Sequence, residues 1–328
     1  MKLSFIRRLF TVAATASLLV GGTASAADRV KLRLSAPASA TDARAVAMTE
    51  KFAPAVADFA EFEGHWNASL FKQGTELEAI ARGNLDMAFA SAQELAEFFP
   101  EFSIFSAGYL HRDAAHQVAV FRSDLFKPFK QKVEDELGVK LLSVIYLGRR
   151  QLNLRTDKTI NTPEDLAGVK LRMPGSEAWQ FLGRALGANP TPMAFTEVYT
   201  ALQTGAIDGQ DNPLPTDKDA KFYEVTKQIV LTSHLVDLNY LAMSKKTFDS
   251  LSPAQQASLQ KAADDTTEWA RQRQLKLEGE LAQFFVDQGL KVYEPDVDAF
   301  RQRVQKMYLE SDLSKSWPEG LVEQINAL

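Results

Sequence analysis

The sequence predicts an α/β protein built as two lobes, and three observations carry that reading. Apolar runs rich in β-branched residues alternate with helical periodicity almost from end to end, the pattern of sheets covered on both faces. Two stretches, ARGNLDMAFAS at 81–91 and QTGAIDGQDN at 203–212, share the order helix end, Gly, any residue, Leu or Ile, Asp, as though each lobe carried one copy. Such junctions also recur by chance in α/β chains, so either copy alone would say little. Third, a capping box at Ser252-Pro253-Ala254-Gln255 opens a helix that meets no breaker before Gly279 or even Gly289. At about 1.5 Å per residue this helix would be roughly 40 to 55 Å long, more than one small lobe needs. It reads as a brace across both lobes, with Leu259, Trp269, Leu277, Leu281 and Phe284 available for its apolar face. The apolar spacing holds no heptad register, which argues against a coiled-coil partner.

The elements follow in order. Val30–Ser35 predicts a first strand, and Met48, Phe52, Val56 and Phe59 mark one face of a helix that Pro54 could kink. A strand near Phe62–Trp66, a helix from about Thr75 to Arg82 and a strand over Leu85–Ala90 come next. One amphipathic helix is predicted from His116 to Leu137, and residues 139–148 form a continuous apolar run of the buried-strand kind. Thr162-Pro163-Glu164-Asp165 supplies an N-cap, a proline at N1 and an acidic N3 for a short helix. A strand then runs Val169-Lys170-Leu171 into Arg172, stops at Met173-Pro174, and gives way to a helix starting near Ser176. The glycines of the near-repeat suit the left-handed position after a helix, and each Asp falls where a new strand begins. The lobe boundaries expected are 27–149 plus about 238–277 for lobe I, and 150–237 plus about 278–328 for lobe II.

The amino terminus addresses compartment. Lys2, Arg7 and Arg8 precede the short apolar run LFTVAATASLLVGG and a small-x-small site at Ala24-Ser25-Ala26, which predicts a signal peptide over 1–26 and a mature chain starting at Ala27. The adjacent arginines admit Tat export, although Sec signals often contain such pairs. No later segment has the eighteen or so uninterrupted apolar residues of a spanning helix, so no membrane insertion is expected. Removing Lys2, Arg7 and Arg8 leaves 34 basic against 42 acidic side chains, a net charge of −8. That balance speaks against a nucleic-acid partner. With no cysteine in an exported chain there is no disulfide framework, thiol nucleophile or thiolate metal site, which fits a bacterial periplasm.

Catalytic constellations are missing from the sequence: there is no GxSxG, HExxH, Walker A or GxGxxG pattern. The histidines 65, 111, 116 and 234 are scattered, and Asp208 to Asn212 lacks EF-hand spacing. No cofactor or metal is expected, and an exported enzyme acting on organic acids is the alternative of another class. Arg172 is the residue that asks for an explanation. At the carboxyl end of a sheet strand it is either a surface partner of Glu164, Asp165 or Glu177, or a cation aimed into a cleft where a ligand carboxylate can meet its planar fork.

LAGVKLRMPGSEAW (166–179), MAFTEVYTALQTGAIDGQDNPL (193–214) and KFYEVTKQIVLTSH (221–234) resemble the substrate-binding proteins of tripartite ATP-independent periplasmic (TRAP) transporters, and the resemblance covers essentially the whole mature chain. The long middle motif is the specific one. The resemblance implies a two-lobed periplasmic binding protein fold with a central cleft, hinge strands and a long helix spanning both lobes. It implies a monomeric receptor, not an enzyme, that captures a small organic anion and passes it to integral membrane subunits; an ATP-driven importer is disfavoured by the brace helix. It carries the carboxylate-binding role onto Arg172, a second arginine onto Arg150 with Arg149 as alternative, and a ligand-contacting asparagine onto Asn212. Asp211 stands where many relatives have Glu, which leaves that contact open. Phe195 would pack on the ligand or simply in the core. In the first lobe Ser91 and Gln93 are candidates, each of which could instead cap a helix; Gln73 and Trp66 follow, and Trp66 could instead fill core. A sugar acid such as a uronate is the favoured ligand, with a C4-dicarboxylate or a small 2-hydroxy or 2-keto acid as alternatives.

Overall fold

The structure, a computed structural model, describes residues 29–328; the expected leader and its cleavage site lie outside the described residues. Strand β1 (Val30–Ser35) is followed by α1 (Ala43–Ala47), one π turn (Met48–Phe52) and α2 (Ala53–Val56). Met48, Phe52 and Val56 are fully buried, as their spacing predicts. Pro54 has no N–H to donate, and the turn ahead of it is widened, with the Ala53 N–H bonding back to the Met48 carbonyl. Then come β2 (Ala60–His65), α3 (Glu76–Ala81), β3 (Met87–Ala90) and α4 (Ala92–Leu95).

The single helix expected from His116 to Leu137 is two helices, α5 (Ala114–Arg122) and α6 (Lys127–Leu137). Ser123 is extended between them, and Pro128 sits in the first turn of α6, where a missing N–H costs nothing. Strand β4 (Val139–Leu154) runs six residues past the predicted Gly148, because the stretch RQLNL from Arg150 onward is buried, with its polar side chains bonded inside the protein. The chain continues through β5 (Lys170–Met173), α7 (Glu177–Ala185), β6 (Asn189–Pro192), α8 (Val198–Thr204), β7 (Gly209–Pro213) and α9 (Leu214–Asp219). It ends with β8 (Gln228–Ser244), α10 (Lys245–Asp249), α11 (Pro253–Asp287), β9 (Lys291–Tyr293), α12 (Val297–Leu309) and α13 (Leu321–Asn326).

The strand order is β2-β1-β3-β8-β4-β7-β5-β6, with β9 beside β8. At one end β1 pairs in parallel with β2 and β3; at the other β5 pairs in parallel with β6 and β7. The long antiparallel strands β4 and β8 link the two parallel sets. This is a two-lobed α/β fold with shared central strands.

The near-repeat is a structural unit. Gly83 and Gly205 have φ of +75° and +79°, the Asn84 and Ala206 N–H groups bond back to Ala79 and Ala201, and Leu85 and Ile207 are buried. Each Asp then ties its strand to the parallel neighbour. Asp86 Oδ2 accepts the Arg33 backbone N–H at 3.1 Å, and Asp208 Oδ2 accepts that of Lys170 at 2.9 Å.

Helix α11 has 35 residues, about 52 Å at about 1.5 Å per residue. Of its predicted apolar face Leu259 and Leu281 are buried, while Trp269, Leu277 and Phe284 are only half-buried. Its buried centre is small and polar instead: Ala262, Ala263, Thr266, Thr267, Ala270 and Gln274. The reason is β4, whose bulges at Leu141/Ser143 and Tyr146/Gly148 leave backbone groups outside the ladder. Gln260 Nε2 donates to the Leu142 carbonyl at 2.8 Å, Gln274 Nε2 donates to that of Leu147, and Glu278 accepts the Arg149 N–H. The brace is therefore attached to the strand by polar struts at its irregularities.

Candidate functional site

Arg172 ends β5 beside Met173 and Pro174, and its side chain is 1% exposed. Its Nε donates to the Met193 carbonyl at 2.9 Å and Nη2 donates to Gln73 Oε1 at 3.2 Å. Among the described residues no carboxylate lies within 4.0 Å of it, so neither Glu164, Asp165 nor Glu177 is its partner. Burial, followed by the neighbouring Arg150 charge, pulls its pKa down to about 9. A buried guanidinium with neutral partners and unused N–H groups on Nη1 is an anion site in waiting.

Arg150, in β4, is 5% exposed and reaches the same cleft. Its charge is already matched: Nε donates to Asp237 Oδ2 at 2.7 Å, Nη1 donates to the Asp211 carbonyl at 2.7 Å, and the Asp211 carboxylate is 3.4 Å away. The Trp179 ring lies 4.3 Å below the guanidinium. Asp211 also meets His234 Nε2 at 3.0 Å. Burial disfavours its charge, but Arg150 and then His234 outweigh that and hold the carboxyl below the usual range. Arg149 points elsewhere, donating to the Arg112 carbonyl.

The cleft, counted out through its solvent-filled mouth, measures about 590 Å³. Gln73, Phe195, Asn212 and Ser91 all line it together with the two arginines. Gln73 Oε1 accepts both Arg172 and the Phe195 N–H, and Asn212 Nδ2 donates to Gln210 Oε1. Ser91 also caps α4, accepting the Glu94 N–H at 3.1 Å while its hydroxyl donates to Glu94 Oε2 at 3.0 Å. Two candidates are not on this wall. Gln93 is buried within α4, and Trp66 lies one residue past β2, its indole laid over Gly64 and packed on the core around β1.

The sequence reading missed much of the first lobe's wall. Arg44 is held by both oxygens of Asp42 at 2.9 and 3.0 Å and donates to Asn239 Oδ1 at 2.6 Å. Glu76, Glu94 and Asn239 are on the cleft too. Asp42 preceding a helix is a readable N-cap; nothing local marks Asn239, which sits inside β8. Among the described residues no group of three or more His, Asp or Glu side chains could hold a metal ion.

A two-lobed α/β chain whose inter-lobe cleft ends in an uncompensated arginine has the build of a solute receptor. Residues 47–314 match the bacterial extracellular solute-binding protein family 7, DctP. The chain belongs to this family, the periplasmic solute-binding proteins of TRAP transporters, which are transport receptors and not enzymes. A TRAP solute-binding protein of Roseobacter denitrificans with bound 3-deoxy-D-manno-oct-2-ulosonic acid (KDO) is 63% identical, with a TM-score of 0.91 over 92% of this chain and 99% of that one. Another from the same species, with bound L-galactonate, is 27% identical with a TM-score of 0.82 over 91% and 99%. The sialic acid-binding periplasmic protein SiaP of Vibrio cholerae is 33% identical over 77% of this chain and 78% of its own length.

Proposed function

We propose that this receptor captures a sugar acid of the 3-deoxy-2-ulosonate class, KDO first among them, and delivers it to the membrane subunits of a TRAP transporter. The observation that carries the reading is Arg172, a buried cation without a carboxylate at the end of a cleft lined with polar groups. The ligand's carboxylate pairs with the free N–H groups of Arg172, while Asn212, Ser91 and Gln73 are within the same wall to meet its hydroxyls. Arg150, its charge already matched by Asp237 and Asp211, orders that part of the wall and leaves Arg172 as the free cation of the cleft. Phe195 offers an apolar face 5.8 Å from the Arg172 guanidinium. The preference for KDO over the uronate rests on the relative at 63% identity.

Lobe I is proposed as 27–149 plus about 238–277, and lobe II as 150–237 plus about 278–328, with the hinge in β4 and β8. Closure excludes water, and the ion pair strengthens as the local dielectric falls. The ligand must bind the closed arrangement better than the open one to drive that change. The leader is proposed to end at Ala26, which the mass of the exported protein checks.

A thermal-shift and calorimetric screen with KDO, N-acetylneuraminate, D-glucuronate, L-galactonate and succinate tests the assignment. A ligand at a hundredfold excess over its dissociation constant adds about 2.7 kcal/mol to apparent stability. KDO is expected to give the largest shift. Tighter binding of succinate, or binding of a neutral sugar, overturns the assignment.

A further inference from the structure

From a carboxyl group on the same cleft as Arg172, we infer that Glu76 is a specificity-determining residue which, as a neutral carboxylic acid, donates a hydrogen bond to a hydroxyl oxygen of the bound sugar acid. The inference rests on the sugar-acid reading of the cleft and assigns the polyhydroxylated end of the ligand to this first-lobe subsite.

Glu76 is the first residue of α3, is 7% exposed and lines the cleft. One oxygen is used: Oε2 accepts the Gly74 N–H at 2.7 Å, which fixes the carboxyl plane. The other, Oε1, is buried without any partner. A buried, ionised carboxylate with an empty oxygen would need a cation, and Glu76 has none: no Lys, Arg or His lies within 4.0 Å of it among the described residues. Its strongest charged neighbour is the carboxyl of Glu94 in α4.

The other charges around the cleft do not help. Arg44 of α1 is taken by Asp42, Arg150 of β4 by Asp237 and Asp211, and Arg172 of β5 faces Gln73. Burial and then Glu94 push the Glu76 pKa up to about 8. Below that pH Oε1 carries, or can carry, the only O–H of the group, and a buried O–H with no acceptor is a destabilising vacancy that a ligand oxygen removes. The same trade, a carboxylic acid kept neutral by its surroundings so that it can donate, is known chemistry. A neutral group here also suits an anionic ligand, since a second negative charge in the cleft would oppose capture.

Calorimetric titration of KDO into wild type, Glu76→Gln, Glu76→Ala and Arg172→Ala between pH 6.5 and 9 tests this. Wild-type affinity is expected to be flat to about pH 7.5 and then to fall, approaching about tenfold per pH unit as one proton is lost from the free protein. Glu76→Gln keeps a donor and no titration: its affinity at pH 7 should stay within about threefold of wild type, with the alkaline fall gone. Glu76→Ala should bind about three- to tenfold more weakly at pH 7. If wild type binds, Arg172→Ala does not, and Glu76→Ala matches wild type at every pH, the subsite is overturned while the receptor reading stands. If Glu76→Gln is as weak as Glu76→Ala, Glu76 acts as a charged acceptor and the neutral-donor inference is wrong. If wild type binds no sugar acid, the receptor reading falls and takes this inference with it.

Discussion

Gln73 Oε1 receives the Arg172 Nη2 at 3.2 Å and the Phe195 backbone N–H at 2.8 Å, so a neutral amide oxygen is what this guanidinium meets across the cleft. An amide satisfies a donor without cancelling its charge. Arg172 is thereby held in place yet left electrostatically unspent, in contrast to Arg150, which has two carboxylates.

Replacing Arg172 with Met should separate binding from stability. Capture of the acid is expected to drop by at least about a hundredfold, in keeping with loss of a bidentate charged pair. The unliganded protein should be as stable as wild type or more so, because a buried charge without a counterion is removed. Calorimetry and thermal unfolding of the apo protein read the two effects; a large loss of apo stability would assign Arg172 to the scaffold.

Arg150→Met should do the opposite in the unliganded state. It strands Asp237 in the interior, while Asp211 keeps His234, and breaking such a buried pair costs about 3–5 kcal/mol. Adding Asp237→Asn should recover part of that loss. Urea unfolding of the single and double variants decides it, additive losses being the result that contradicts the pairing.

The struts between α11 and β4 predict a local sensitivity. Gln274→Leu leaves the Leu147 carbonyl unpaired at the bulge, at a cost of about 1–3 kcal/mol. The adjacent Leu275, 41% exposed on the outer face, should tolerate Ala within about 0.5 kcal/mol. Equal effects at the two positions in denaturant melts would dismiss the struts.

Stability should also carry a pH signature from Glu76. Its folded pKa is raised from 4.5 to about 8, so between those values the folded chain holds a proton that the unfolded chain has released. Stability from this group is full below pH 4.5, declines as pH rises, and has lost its contribution above about 8. Asp237, Glu94 and Glu278 are raised too, chiefly by burial, and slope the same way. The difference in melting temperature between wild type and Glu76→Gln isolates the one group: the variant should gain on wild type from pH 5 to 8, and a constant difference would refute the assignment.

Local pattern determined a good deal of this protein. The first strand at Val30–Ser35, the capping boxes at Thr162 and Ser252, and the Gly-x-Leu/Ile-Asp units could be read because each is enforced within a few residues of itself. Arg172 stood out at the end of its strand, but local pattern left it open between a surface carboxylate and a cleft, and the family resemblance supplied the role. Apart from the break between α5 and α6, which Ser123 and Pro128 make locally, the main errors share one cause. β4 from Arg150 onward, the small polar centre of α11 and the acid at 76 are polar in sequence yet buried, and burial of a polar group is licensed by partners far along the chain. Gln274 needs the carbonyl of Leu147, Arg44 needs Asn239, and Gln73 needs Arg172. The chain alone set most of the elements and placed an arginine at the end of β5. Which charges are neutralised, which stay free and which are forced to hold a proton was decided only when the lobes came together, because electrostatic energy depends on distance in space and on the loss of water, and neither is written along the sequence.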